Sequence, residues 1–210
     1  MQFYVIEGNI GVGKTTLVSM LAERYQSKAV FEQFANNPFL PKFYDDPDKF
    51  AFPLELSFLA DRYSQLKKEL TPDLFSPFVI SDYYFPKSLI FARKTLADDE
   101  FHLYLKLFNI ILSQLPIPTV YVYLHQQTPQ LLENIKQRGR DYEQNISEDY
   151  LRSIQDGYFD YFKHTHSFPL LVIDCKELDF VENSTHFEYL ASIIIESKHA
   201  PGVQYITPQL

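Results

Sequence analysis

Residues Gly8, Asn9, Ile10, Gly11, Val12, Gly13, Lys14 and Thr15 spell G-x-x-x-x-G-K-T directly after the apolar run Phe3-Tyr4-Val5-Ile6. Residue types at this spacing suit the chemistry of a polyphosphate. Glycines let successive backbone N–H groups turn toward one anion, and a helix that follows aims its positive dipole end at the same point. The Lys14 ammonium would reach the β- and γ-phosphates, the Thr15 hydroxyl would ligate Mg²⁺, and Thr16 would complete the cradle. The plain alternative is a glycine-rich strand–helix turn with no ligand, which the full motif in strand–loop–helix order disfavours. The motif specifies a nucleoside triphosphate. It leaves open whether the γ-phosphate goes to water, to a small molecule or drives a switch.

Further groups stand where such a loop could use them. Glu32 follows an apolar strand candidate, Asp82 follows Ile80-Ser81, and Arg138-Gly139-Arg140 precedes Glu143. Phosphoryl transfer to a hydroxyl needs a phosphate cradle, Mg²⁺, a group that orients and deprotonates the hydroxyl, and cations over the migrating phosphoryl. Thr15 and Asp82 are the metal candidates, and Glu32 is the candidate base. Arg138 and Arg140 form a candidate clamp that closes after binding and excludes water. Each has a structural alternative, a solvated loop acid for Glu32 and dipole-complementing helix-end cations for the arginines. The six histidines, at 102, 125, 164, 166, 186 and 199, show no metal-ligand spacing, so solvated rings are expected.

Positioning these groups takes a sheet. Short continuous apolar runs at 2–6, 29–31, 77–81, 119–124 and 170–174 read as strands buried on both faces. Helical spacing fills 14–26, 48–70, 98–115, 128–138, 147–166 and 184–197, with Ser147 as a helix start. Such alternation predicts an α/β fold with a doubly wound parallel sheet and ligands outside the carboxyl ends of its strands. One domain over 1–210 is expected, with an irregular tail from about 199 to 210. Pro53 breaks the helical pattern of 48–70, which predicts either a helix start near it or a bend there.

The 210 residues are 46% hydrophobic, with 19 Phe, 15 Tyr and no Trp, enough for a substantial core. Nineteen basic against 27 acidic residues leave a net charge of −8 with no basic stripe, which argues against a nucleic-acid polymer as partner. Cys175, the one cysteine, follows an apolar run and has no partner for an internal disulfide. With the phosphate loop starting at residue 8 no signal peptide is expected, and no apolar run approaches the ~18 residues of a membrane span. A cytoplasmic protein is the expectation.

One carboxylate looks out of place. Glu55 is surrounded by Phe52, Leu54, Leu56, Phe58 and Leu59, and Arg62 lies seven residues on, two turns along the same face. An unpaired carboxylate is costly to bury, so Glu55 needs a partner. It is half of a structural pair with Arg62, or sits at a solvated edge, or, together with Arg62, reads a nucleobase in an apolar cleft.

Taken together these residues resemble the deoxynucleoside kinases, from the N-terminus to about residue 175. Ile6-Glu7-Gly8-Asn9-Ile10-Gly11 is similar to the family's opening, and Arg138-Gly139-Arg140 with Glu143 to its lid. Asn37-Pro38-Phe39-Leu40, with Phe43-Tyr44, resembles a segment that lies five residues beyond the catalytic glutamate in bacterial members. The resemblance implies a P-loop kinase fold with a five-stranded parallel sheet, a lid at about 138–146 and a homodimer formed through helices. It implies that Glu32 takes the proton of the sugar 5′-hydroxyl while Tyr44 and Glu143 hold the 3′-hydroxyl. Arg138 and Arg140 would stabilise the transferring phosphoryl, and Asp82 would hold Mg²⁺, directly or through water. Glu55 and Arg62 fall where the family contacts the base, and Phe91 where a ring covers it.

Two positions depart from the family pattern. Tyr83 stands where an arginine usually pairs with the catalytic glutamate, so the charge partner of Glu32 comes from elsewhere or is missing. The aspartate that often pairs with the base-side arginine is also not evident, and Lys87 and Ser88 occupy that neighbourhood. An Asp-Tyr pair here with a glutamate at the base position resembles the deoxyguanosine-specific bacterial members. The chemistry of Glu55 agrees. An ionised carboxylate only accepts, and guanine presents two adjacent donors, N1–H and the 2-amino group. The wrong base would leave a buried acceptor unsatisfied, which discriminates strongly.

The expected activity is transfer of the γ-phosphate of ATP to the 5′-hydroxyl of deoxyguanosine, with deoxyadenosine or a broader acceptor range as the next reading. A nucleoside monophosphate kinase would need basic residues for the acceptor's phosphate, where 32–70 offers acids and aromatics. A regulatory NTPase predicts a donor motif such as N-K-x-D, which the sequence lacks.

Overall fold

In β1 (Gln2–Gly8), Phe3 and Val5 turn to one side while Tyr4 and Ile6 turn to the other, and all four are buried. A strand apolar on both faces must be covered on both faces. This is a computed structural model describing residues 2–33, 37–71, 76–164 and 167–209, with only the backbone of Tyr142. Its further elements are α1 (Lys14–Tyr25), β2 (Lys28–Val30), α2 (Leu40–Asp45), α3 (Pro47–Glu69), β3 (Phe78–Ser81), α4 (Lys87–Thr95) and α5 (Asp98–Leu112). After these come β4 (Val120–His125), α6 (Thr128–Arg138), α7 (Glu148–Phe162), β5 (Pro169–Asp174), α8 (Ser184–Ala191) and β6 (Gly202–Ile206). One 3₁₀ turn, Asp141–Glu143, joins α6 to α7.

The strands form one parallel sheet in the order β2-β3-β1-β4-β5-β6. Leu54 and Leu59 of α3, Ile90 of α4, Phe108 of α5 and Phe162 of α7 cover the Phe3 face. Leu17 and Leu21 of α1, Ile135 of α6 and Leu190 of α8 cover the Tyr4 face. From β1 the chain builds β2 and β3 to one side, then β4, β5 and β6 to the other. The carboxyl end of β1 is therefore the switch point of the sheet, where ligands of such folds bind. The loop 8–15 lies there.

The sheet has six strands rather than the five expected, because the tail supplies the sixth. Gly202 to Ile206 pair with Pro169 to Ile173 at the open edge of β5. Pro201 and Pro208 made this stretch read as irregular, and its pairing depends on an edge that only the folded sheet provides. Two helices also escaped the periodicity, α2 and α4. The helix α3 starts well before Pro53, at Pro47, with Asp46 accepting a hydrogen bond from the Lys49 N–H, and runs through Pro53. Ser147 caps α7 as expected, accepting from the Tyr150 N–H at 3.1 Å. The strand β2 ends one residue early, leaving Phe31 partly exposed. His166 lies outside the described residues.

Candidate active site

Gly13 opens α1 with φ 96°, and Gly11 has φ 85°, a region that favours glycine. A Cβ on Gly11 would come within 2.8 Å of the Leu131 carbonyl oxygen, so the loop packs directly on α6. Lys14 Nζ donates to the Gly8 and Asn9 carbonyls at 2.9 and 2.8 Å. Burial, followed by repulsion from Lys87, lowers the Lys14 ammonium to about 8. Asn9 ties the loop to α7 through the Leu151 carbonyl, 2.7 Å away. Thr15 Oγ1 donates to Asp82 Oδ2 at 2.6 Å, and Asp82 Oδ1 accepts the Glu32 N–H at 2.8 Å. One carboxylate thus joins the ends of β1, β2 and β3.

Glu32 sits between two cations. Its Oε1 receives Arg62 Nε at 2.8 Å and Nη2 at 2.6 Å, and its Oε2 receives Lys87 Nζ at 2.6 Å. Burial alone would raise this carboxyl, but Lys87 and Arg62 outweigh it and hold Glu32 down to about 2. Arg62 also donates from Nη1 to Ser88 Oγ at 2.8 Å and lies 4.7 Å from the centre of the Phe58 ring. Tyr83 turns away and donates to Gln65 Oε1.

Glu55 is treated differently. Its Oε1 lies 3.0 Å from Thr95 Oγ1, while Oε2 is buried without a hydrogen-bond partner among the described residues. No ion pair joins it to Arg62, whose guanidinium is committed to Glu32. Burial pushes the Glu55 carboxyl up to about 7 against the opposing pull of Arg62 and Thr95.

These groups face one cleft open to solvent. Lys14, Thr15, Glu32, Asp82 and Lys87 line the end beside the loop 8–15, and Glu55, Phe58, Phe91 and Tyr150 the apolar part. Tyr44, Arg62, Arg138, Arg140 and Glu143 complete the sequence-derived set on its wall. A second cleft lies across the loop, lined by Gly11, Val12, Gly13 and Thr16 with Lys176, Leu178, Asp179, Phe180 and Val181 beyond β5. Lys14, Thr15, Arg138 and Arg140 belong to both. Gly139, with φ 69°, ends α6 and turns the chain so that both arginines reach Glu143, Arg138 to Oε2 and Arg140 to Oε1. Glu143 is buried.

The sequence model described as "Deoxynucleoside kinase" matches residues 4–197. The chain belongs to the deoxynucleoside kinase family. It is 37% identical over 202 residues to the deoxyguanosine kinase of Bacillus subtilis, covering 92% of this chain and 96% of that one. With the deoxyadenosine/deoxycytidine kinase of the same organism it shares 28% over 201 residues, 92% of each chain. Among solved structures, a deoxyadenosine kinase from M. mycoides, with dCMP and a flexible dCDP bound, superposes with a TM-score of 0.81 at 24% identity, covering 93% of this chain and 100% of that one.

Four contributors to the site in this deoxynucleoside kinase were given no role by the sequence reading. Lys87, with Arg62, supplies the charge that Tyr83 does not, and Ser88 takes the arginine's remaining reach. Both lie on a helix the periodicity missed, and Pro86 before it was the available signal of a helix start. Glu7 is fully buried beneath the loop, with Oε1 accepting the Tyr84 N–H and Oε2 the Tyr158 hydroxyl, each at 2.9 Å. Burial raises its carboxyl, with Lys87 and Lys14 opposing. Thr95, which meets Glu55, gave no signal in sequence. Cys175 is a free, buried strand-end thiol pushed up to about 12 by burial. Among the described residues, no three His, Cys, Asp or Glu gather to hold a metal, and no helix is long and apolar enough to cross a membrane.

Proposed function

We propose that this kinase is a cytoplasmic homodimer that moves the γ-phosphate of ATP to the 5′-hydroxyl of deoxyguanosine. One observation carries the base assignment: Glu55 lines the cavity with a buried oxygen that lacks a partner among the described residues. Guanine supplies two adjacent donors to such a carboxylate. The name of the Bacillus subtilis relative supports the same acceptor. Arg62 would sit beside the base, and Phe91 would cover it.

Donor and acceptor would lie on the two sides of the loop, with Lys14, Thr15, Arg138 and Arg140 at the crossing point. Glu32, kept ionised by its cations, orients the 5′-hydroxyl. The 5′-oxygen bonds to the γ-phosphorus as the bond to the β–γ bridging oxygen breaks, ADP leaves, and the hydroxyl proton passes to Glu32. Such a transition state is loose, so catalysis is mainly positioning and charge stabilisation by Lys14 and the two arginines. Thr15 Oγ1 and Asp82 Oδ2, 2.6 Å apart, suit Mg²⁺, which takes few protein oxygens and completes its shell with phosphates and water. Bound there, the ion would neutralise charge on the β- and γ-phosphates. Tyr44 and Glu143 would hold the 3′-hydroxyl, which draws Glu143 between substrate and lid.

A stripe of Leu103, Leu107 and Ile110 on α5, with Ile110 63% exposed, supports a helix-mediated homodimer. One free cysteine suits a reducing compartment. The test is ATP-dependent phosphorylation of the four deoxynucleosides side by side at about pH 8. Deoxyguanosine should lead in kcat/KM by roughly tenfold or more. Equal rates, or a lead for deoxyadenosine, would overturn the base assignment, and no product from any of the four would overturn the reaction.

A further inference from the structure

Thr95 closes α4 opposite Glu55 of α3. Its hydroxyl oxygen lies 3.0 Å from Glu55 Oε1 and 3.1 Å from the Phe91 carbonyl one turn back. A hydroxyl carries one hydrogen, so Thr95 donates along only one of these lines at a time. Two arrangements fit the same atoms. With Glu55 ionised, Thr95 donates to Oε1. With Glu55 protonated on Oε2, the oxygen without a partner among the described residues, Oε1 is a weaker acceptor and Thr95 can donate to the Phe91 carbonyl instead, leaving Oε1 to accept from a ligand. Either proton form of Glu55 is accommodated without moving a heavy atom.

The surroundings leave this choice nearly balanced. On its own helix Glu55 faces Arg62, which favours the charged form, and beyond β2 it faces Glu32, which opposes it. Tyr104 of α5 and Tyr150 of α7 are the other titratable groups that feel it, and Tyr44 of α2 shares the cavity wall. Lys87, on the same helix as Thr95, is committed to Glu32. Burial outweighs these and pushes the Glu55 carboxyl up to about 7.

We propose that base selection depends on the proton carried by Glu55 and that the Thr95 hydroxyl sets the pH at which it switches. This rests on the base-reading role of Glu55 given above. The ionised form, held by the Thr95 hydroxyl, takes the guanine edge with its two donors. The protonated form offers one donor and one acceptor, and it takes the adenine edge, where an amino group stands beside a ring nitrogen. Thr95 is a positioning residue: it touches neither base and sets which form of Glu55 meets them.

The experiment measures kcat/KM for deoxyguanosine and deoxyadenosine from about pH 5.5 to 9, in the wild type, Thr95→Val and Thr95→Ser. Taking the ratio of the two cancels titrations common to both reactions, those of Glu32 and Lys14 included. In the wild type the guanine-to-adenine ratio should fall as pH drops through the Glu55 transition, by about tenfold per pH unit on its slope. Thr95→Val keeps the shape and removes the donor that favours the charged form, so the transition should move to higher pH. Thr95→Ser should restore it. A ratio independent of pH in the wild type, or a valine profile that superposes on it, overturns the proposal. Glu55→Gln separates the two levels: an unchanged base preference there removes the base-reading role itself, whereas a changed preference beside an inert Thr95→Val removes only the part given to Thr95.

Discussion

Glu32 and Glu55 face one cavity and are held in opposite ways. At the end beside the loop 8–15 both oxygens of Glu32 meet cations, and the carboxyl is held down to about 2 although burial works against it. At the end proposed for the base, Glu55 has one hydroxyl on one oxygen and nothing from the described residues on the other, and burial pushes it up to about 7. On the proposed assignment, the contrast follows from what each end would do. A group that meets the same hydroxyl in every turnover works best when its charge and position are fixed beforehand. A group that must tell one base from another needs atoms left unsatisfied, because discrimination arises from the cost of leaving them so.

The largest effect that tests this contrast is at Glu32. Glu32→Ala should lower kcat by about 10³- to 10⁴-fold with triphosphate binding retained, measured by steady-state kinetics beside equilibrium binding of ATP. Activity near the wild-type level would take Glu32 out of the mechanism. Next comes Glu55→Gln, which turns the accepting end into a donor–acceptor pair. It should move the deoxyguanosine-to-deoxyadenosine ratio of kcat/KM by about 100-fold toward deoxyadenosine with little change in the better kcat. An unmoved ratio would show that the two glutamates do not divide the work this way.

The smallest effect is on stability, and its sign differs at the two ends. Glu32, with its pKa lowered in the fold, contributes stability that is present above about 4.5 and lost as pH falls toward 2. Glu55, with its pKa raised, contributes stability that is full below about 4.5 and lost as pH rises through 7. Glu55→Gln should therefore gain on the wild type between about pH 5 and 8, by at most about 3 kcal/mol in urea unfolding. A difference between the two proteins that is the same at both pH values would mean that Glu55 is already ionised and solvated.

The loop Gly8 to Thr15 was legible because its chemistry lies in eight consecutive residues whose backbone angles depend on near neighbours. The apolar runs of the central strands and the capping of α7 by Ser147 were legible for the same reason. Glu55 could be singled out by its apolar flanks, and the absence of the usual arginine at Tyr83 raised the question of what pairs with Glu32. The answer was not local. Lys87 reaches Glu32 across 55 residues, Tyr158 reaches Glu7 across 151, and Thr95 reaches Glu55 across 40. The sixth strand likewise exists because β5 leaves an edge for it. By itself the sequence determined which residues could carry charge, bind phosphate or line a core, since residue type and short-range periodicity fix those properties. Only the tertiary structure decided which charges are neutralised and which are left for a ligand, because that depends on which elements the sheet order brings side by side.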